Sequence, residues 1–227
     1  MDEQYNQAAA EVIDAARALS RKGLNVNKSG NVSCRFSLDG RDGMLITPTG
    51  LAYDLLTPAD IPWMPLAEGA GPGDAIGQMQ PSSEWLMHLE VYRRRPDVQA
   101  VVHTHSTYAT ALACQNLPIP PFHYMVAVSG ASSIGVVPYA TFGSTELARK
   151  AAEALCNASA CLLEHHGVLV AGRSLEHALT LASEVENLAH QYVIVRSLGE
   201  VRLIEEAEMQ KIIEKFVTYG QPRRRGK

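Results

Sequence analysis

NVSCRFSLDGRDGMLI, residues 31–46, puts Val32, Cys34 and Phe36 at alternate positions, the period of a strand with one buried face. Asp39-Gly40-Arg41-Asp42-Gly43 then offers turn residues ahead of a second apolar run, Met44-Leu45-Ile46. The two runs predict an antiparallel hairpin, which argues against a purely parallel, doubly wound sheet. Outward from the hairpin the period changes to that of a helix. Ala9, Val12, Ile13, Ala16 and Leu19 share one face of a helix over 6–22 that stops at Gly23. At the far end, Leu175, Ala178, Leu179, Ala182, Val185, Leu188 and Val193 define a long helix over 175–195, and a shorter one ends near Gly220.

Between these ends the chain alternates. Pro81-Ser82-Ser83-Glu84 opens a helix whose last turn carries Arg93, Arg94 and Arg95 before Pro96 ends it. A strand follows over 98–105, then a short helix capped by Ser106 and running to Cys114. Residues 133–137 read as a strand, Ser144 caps a helix to about Leu155, and 161–170 reads as two strand pieces broken at Gly167. The Gly- and Pro-rich stretch 69–77 is a loop too early in the chain to separate two complete domains. The expectation is an α/β protein with one three-layer α/β/α domain spanning 1–227.

Composition agrees with a globular chain. At 227 residues and 24.6 kDa, with 46% hydrophobic and 19% charged residues, it is neither disordered nor fibrous. A net charge of −4 and a pI near 6.1 give no electrostatic case for nucleic-acid binding, and Arg223, Arg224 and Arg225 are too few to change that. The polar, acidic start and the lack of any run approaching roughly 18 apolar residues predict no signal peptide, no membrane span and a cytoplasmic protein. Cys34, Cys114, Cys156 and Cys161 contain no C-x-x-C pair and read as reduced thiols.

Chemistry concentrates in three places. His103 and His105 lie two residues apart in a predicted strand, so their rings share a face. His166, where a strand meets Gly167, would make a third imidazole, and three imidazoles with an open position are the shell of a catalytic Zn²⁺-type site. Singly, each is more simply a packed or surface histidine, and His165 competes with His166 for the role. Glu84 is on local grounds better explained as a first-turn carboxylate favoured by the helix dipole, the functional reading being a ligand, an acid/base group beside a metal, or both. Ser82 and Ser83, at that same helix start, form an anion site with two Gly turns, Ser29-Gly30-Asn31 and Thr47-Pro48-Thr49-Gly50. Neither turn fits a P-loop or a dinucleotide fingerprint.

The ordered set G-N-V-S at 30–33, L-I-T-P-T-G at 45–50, P-S-S-E-W at 81–85, V-V-H-T-H-S at 101–106, H-Y-M at 123–125, A-T-F-G at 140–143 and H-H-G at 165–167 resembles the class II aldolase and adducin family, most of all its fuculose-phosphate branch. The likeness runs from the first helix through K-F-V-T-Y-G at 215–220. It implies a mainly antiparallel sheet in a homotetramer and a metal held by His103, His105, His166 and Glu84. The default metal is Zn²⁺, with Mn²⁺ or Co²⁺ as alternatives. It also implies Glu84 and Tyr124 as catalytic acid/base groups, and phosphate contacts from Gly30, Asn31, Thr49, Gly50, Ser82 and Ser83. Tyr124, Phe142 and Tyr219 would position the aldehyde, Tyr124 from a neighbouring subunit. The implied reaction is reversible cleavage of a ketose 1-phosphate, L-fuculose 1-phosphate or a related 5-deoxy sugar phosphate, to dihydroxyacetone phosphate and an aldehyde such as lactaldehyde. Family alternatives are a ribulose-phosphate 4-epimerase, whose branch carries an H-A-D-Y-F-like segment where this chain has His123-Tyr124-Met125, and a methylthioribulose-phosphate dehydratase. A non-enzymatic adducin-like module would not be expected to keep the three histidines. Residues 68–80 and 222–227 match no family motif.

Overall fold

A computed structural model describes residues 3–218. Chain order runs α1 (Glu3–Arg21), β1 (Asn31–Arg35), β2 (Gly43–Ile46), β3 (Trp63–Pro65), α2 (Trp85–Arg94), β4 (Ala100–Thr104) and α3 (Thr107–Cys114). It continues through β5 (Val136–Val137), α4 (Thr145–Ala154), β6 (Ala160–Leu163), β7 (Gly167–Gly172), α5 (Leu175–Ser197) and α6 (Glu206–Thr218). The seven strands form one sheet in the order β3-β2-β1-β4-β7-β6-β5. Every pairing is antiparallel except β5 with β6, which the helix α4 connects in parallel. The hairpin of 31–46 is present, with Cys34 opposite Leu45.

Strand alternation divides the interior into two cores. Val32, Leu45, Ala100, Val102, Leu162, Val168 and Val170 point to one face, packed under α1, α3 and α5. Met44, Ile46, Val101, Cys161, Leu163, Leu169 and Ala171 point to the other, packed under α2 and α4. That is the expected α/β/α sandwich. Fully burying each Val, Leu, Ile or Met side chain among these is worth about 1.5–3 kcal/mol, so both faces must be covered for the strands to be stable. His103 has the parity of Val101 and therefore faces the α2 layer.

Several boundaries differ from the expectation. β3 is an added edge strand: Trp63 is fully buried and exchanges backbone hydrogen bonds with Ile76 at 2.8 Å, folding part of the 69–77 loop back onto the edge. The 133–137 strand shrinks to Val136–Val137, since Ile134 instead bridges to Ile119. β4 ends at Thr104, so His105 lies just beyond it. Ser106 makes no side-chain cap on α3; the Glu186 carboxylate on α5 accepts from Tyr108 N and Ala109 N, both at 2.9 Å. Glu186→Ala should leave these amides unpaired and lower stability by about 1–2 kcal/mol, read as a lower urea midpoint. All four cysteines are free. Among the described residues no helix is long and apolar enough to cross a membrane. Tyr219, the end of the predicted last helix near Gly220, and the 222–227 tail lie outside the described residues.

Candidate active site

His103, buried at the end of β4, receives its geometry from the next strand: its Nδ1 lies 2.8 Å from the Val168 carbonyl on β7. A carbonyl only accepts, so Nδ1 carries the proton and a neutral ring presents a bare Nε2. That Nε2 is 2.9 Å from His105 Nε2 and 3.2 Å from Glu84 Oε2. His166, in the turn between β6 and β7, completes the group, with its Nε2 3.1 Å from Glu84 Oε1. One ligand atom from each of the four residues lies within 4.8 Å of all the others. His165 is not in this group; its backbone has φ 54° and its side chain is exposed. The left-handed conformation at His165 turns the chain so that its neighbour, rather than His165 itself, meets Glu84.

Gly167 closes the turn for a packing reason. A Cβ there would sit 2.3 Å from the Thr104 carbonyl, 2.9 Å from His105 Cδ2 and 3.3 Å from His103 Cε1. Any side chain would displace the two rings, which accounts for the H-H-G sequence.

Glu84 is the N-cap residue of α2, but its carboxylate makes no capping hydrogen bond and turns to the histidines. Asn31 holds it there, donating from Nδ2 to Oε2 at 3.1 Å, while Asn31 Oδ1 contacts His88 Nε2 and His88 Nδ1 meets Ser33 Oγ at 2.7 Å. Asn31 stands opposite His103 in the β1–β4 ladder, so the sheet register sets this alignment. Burial pushes His88 down to about 3, which keeps it a neutral member of the chain of hydrogen bonds. Asn31 lines the cavity, as the phosphate reading expects, and in addition holds Glu84, a role the sequence alone does not show. The missing signal was register: residues 31, 33 and 103 share a face with α2.

Electrostatics favour a cation in the centre. Burial would raise the Glu84 carboxyl, but positive charge on His103, and then on His166, whose Nε2 atoms lie 3.2 and 3.1 Å away, outweighs it and holds Glu84 well below the carboxylate range. Burial would lower His103, and Glu84 reverses this and raises it. His105 is pushed down to about 4 by burial and by its two neighbouring imidazoles. Oε1 of Glu84 is buried and receives no aligned hydrogen bond. Bare ring nitrogens and carboxylate oxygens therefore converge with too few protons between them, a donor set that fits a divalent ion with nitrogen and oxygen ligands. Such an ion must displace the proton that Glu84 favours on His103. Affinity should then fall about tenfold per unit as pH drops through the His103 pKa, above the ordinary histidine value; competition against a chelator at several pH values would read it. Unchanged affinity on acidification would exclude imidazole ligands.

Glu84, His105 and His166 line a cavity of about 360 Å³, while His103 is fully buried. Gly30, Asn31, Thr49, Gly50, Ser82 and Ser83 also line it, as do Phe142, Tyr139, His165 and Lys28. The serines sit at the start of α2, where backbone N–H groups and the helix dipole favour an anion. Gly30 is required by its φ of 77° and because a Cβ would meet the His103 carbonyl at 2.6 Å. Phe142 is 65% exposed at the mouth. Tyr124 does not line this cavity; it begins a 3-10 segment, Tyr124–Ser129, and is 51% exposed.

The sequence profile of the Class II Aldolase and Adducin N-terminal domain matches residues 10–193, most of the chain. The chain belongs to the class II aldolase and adducin family. It is similar to the 5-methylthioribulose-1-phosphate/5-deoxyribulose-1-phosphate aldolase of Rhodospirillum rubrum, at 46% identity over 92% of this chain and 90% of that one. It is 44% identical to the L-fuculose phosphate aldolase of Escherichia coli K12 over 96% of this chain and 97% of that one. A solved L-fuculose 1-phosphate aldolase superposes with a TM-score of 0.85 at 36% identity, covering 93% of this chain and 96% of the other. Within the class II aldolase family, this chain is thus an aldehyde-lyase-type enzyme with the family's mainly antiparallel fold.

Proposed function

We propose that the protein, as one domain over 1–227, reversibly cleaves a ketose 1-phosphate to dihydroxyacetone phosphate and an aldehyde. The substrate is L-fuculose 1-phosphate, giving lactaldehyde, or a related 5-deoxy sugar phosphate. What carries the reading is the juxtaposition of the Glu84–histidine group with an anion cradle in one cavity. A divalent cation held by His103, His105, His166 and Glu84, with Zn²⁺ the default and Mn²⁺ or Co²⁺ alternatives, supplies Lewis-acid stabilisation of the negative charge developing on the C2 and C3 oxygens.

The chain's own groups do the rest. Gly30, Thr49, Gly50, Ser82 and Ser83 hold the 1-phosphate and so fix C3 and C4 relative to Glu84, and Asn31 orients the Glu84 carboxylate. Tyr124 of a neighbouring subunit, as its phenolate, accepts the C4 hydroxyl proton as the C3–C4 bond breaks, and Glu84, after taking a proton from solvent, delivers it to C3, with Tyr124 returning its proton to solvent. Phe142 and Tyr219 border the aldehyde. This scheme assumes a cytoplasmic homotetramer. It is tested by product analysis on a panel of ketose 1-phosphates. Dihydroxyacetone phosphate plus an aldehyde is the expected result. A C4 epimer, or loss of water with the carbon chain intact, would assign the chain to the epimerase or dehydratase chemistry instead.

A further inference from the structure

The cradle is rich in hydrogen-bond donors and poor in charge. Among the described residues lining the cavity, Glu84 is the carboxylate and Lys28 is the one permanent cation. A sugar 1-phosphate brings close to two negative charges, at neutral pH, into a cavity that already holds that carboxylate. The proposed divalent cation would offset the Glu84 carboxylate and the sugar oxygens, so at the cradle the phosphate itself would meet, apart from Lys28, only neutral hydroxyls and amides.

Lys28 is placed to answer it. It directly precedes the Ser29-Gly30-Asn31 turn, and its Nζ donates to the Gly50 carbonyl at 2.8 Å, joining the two glycine turns across the cavity wall. An ammonium has three N–H donors, and this contact uses one. The bond fixes the long side chain beside Thr49 and Gly50 before substrate arrives, which reduces the entropy lost on binding.

We propose that Lys28 binds the substrate's 1-phosphate through its ammonium and sets the preference for phosphorylated over neutral sugars. The inference rests on the anion cradle of the proposed function. Inorganic phosphate titrated calorimetrically into the metal-loaded protein is the probe, with Lys28→Gln, Lys28→Arg and a Ser82→Ala/Ser83→Ala double variant. Glutamine can still donate to the Gly50 carbonyl, so it separates the charge from the tie between turns. Lys28→Gln should weaken phosphate binding about tenfold, flatten its salt dependence, and lower the kcat/KM ratio of ketose 1-phosphate to free ketose by a similar factor. Lys28→Arg should stay within about threefold of the parent.

Phosphate binding and salt dependence unchanged in Lys28→Gln would overturn the role, as would an equal loss in Lys28→Arg. If Lys28→Gln is unchanged while the double serine variant binds weakly, the cradle stands and Lys28 is not part of it. If neither weakens binding, the anion site itself is misplaced.

Discussion

Alanine at His103, His105 or His166 is expected to strip the protein of bound metal and to lower cleavage more than ~10³-fold, whereas His165→Ala should cost less than about tenfold. The asymmetry follows from the turn between β6 and β7. His166 Nε2 reaches Glu84 at 3.1 Å, while His165 is exposed at the cavity wall and, among the described residues, belongs to no cluster of ligand atoms. Metal analysis alongside the cleavage assay separates the two, with circular dichroism to verify the fold of the buried His103 variant. Full metal content in His166→Ala combined with loss in His165→Ala would move the ligand to the other histidine.

Tyr124→Phe should slow cleavage by ~10²–10⁴ while leaving metal content and assembly intact. Tyr124 is half exposed and does not line its own chain's cavity, and the proposed tetramer would bring it to a neighbour's site. A cyclic arrangement repeats the same head-to-tail contact at every interface and gives equivalent composite sites. Glu84→Gln damages the other half of such a site. Mixing the two inactive proteins and allowing subunits to exchange should restore sites with both original residues. Exchange confirmed by mass measurement with no return of activity would refute the shared site.

Much of this architecture was legible in the sequence because period-2 and period-3.6 patterns are strong over 9–19, 31–46 and 175–195. The central residues were legible too: a period-2 reading puts His103 and His105 on one face, and their rings do meet although the strand ends at Thr104. What stayed hidden depends on contacts between distant segments. β3 is three residues long and held by Ile76, so no local pattern marks it. Glu186 displaces Ser106 as the cap of α3 from 78 residues away. Neither Asn31's grip on Glu84 nor His88's burial beneath it can be read without the β1–β4 register. Lys28 escaped notice since a lysine in a turn ordinarily means only a solvated surface.

The central claim is that Glu84 exchanges a proton with C3 of the three-carbon fragment beside a bound metal, and hydrogen exchange on dihydroxyacetone phosphate alone tests it without any aldehyde. In heavy water the metal-loaded protein should place one deuterium on the hydroxymethyl carbon. Chelation or Glu84→Gln should abolish this, and Tyr124→Phe should leave it intact because no C3–C4 bond is involved. Exchange that persists in Glu84→Gln, or that disappears in Tyr124→Phe while metal is retained, would contradict the account.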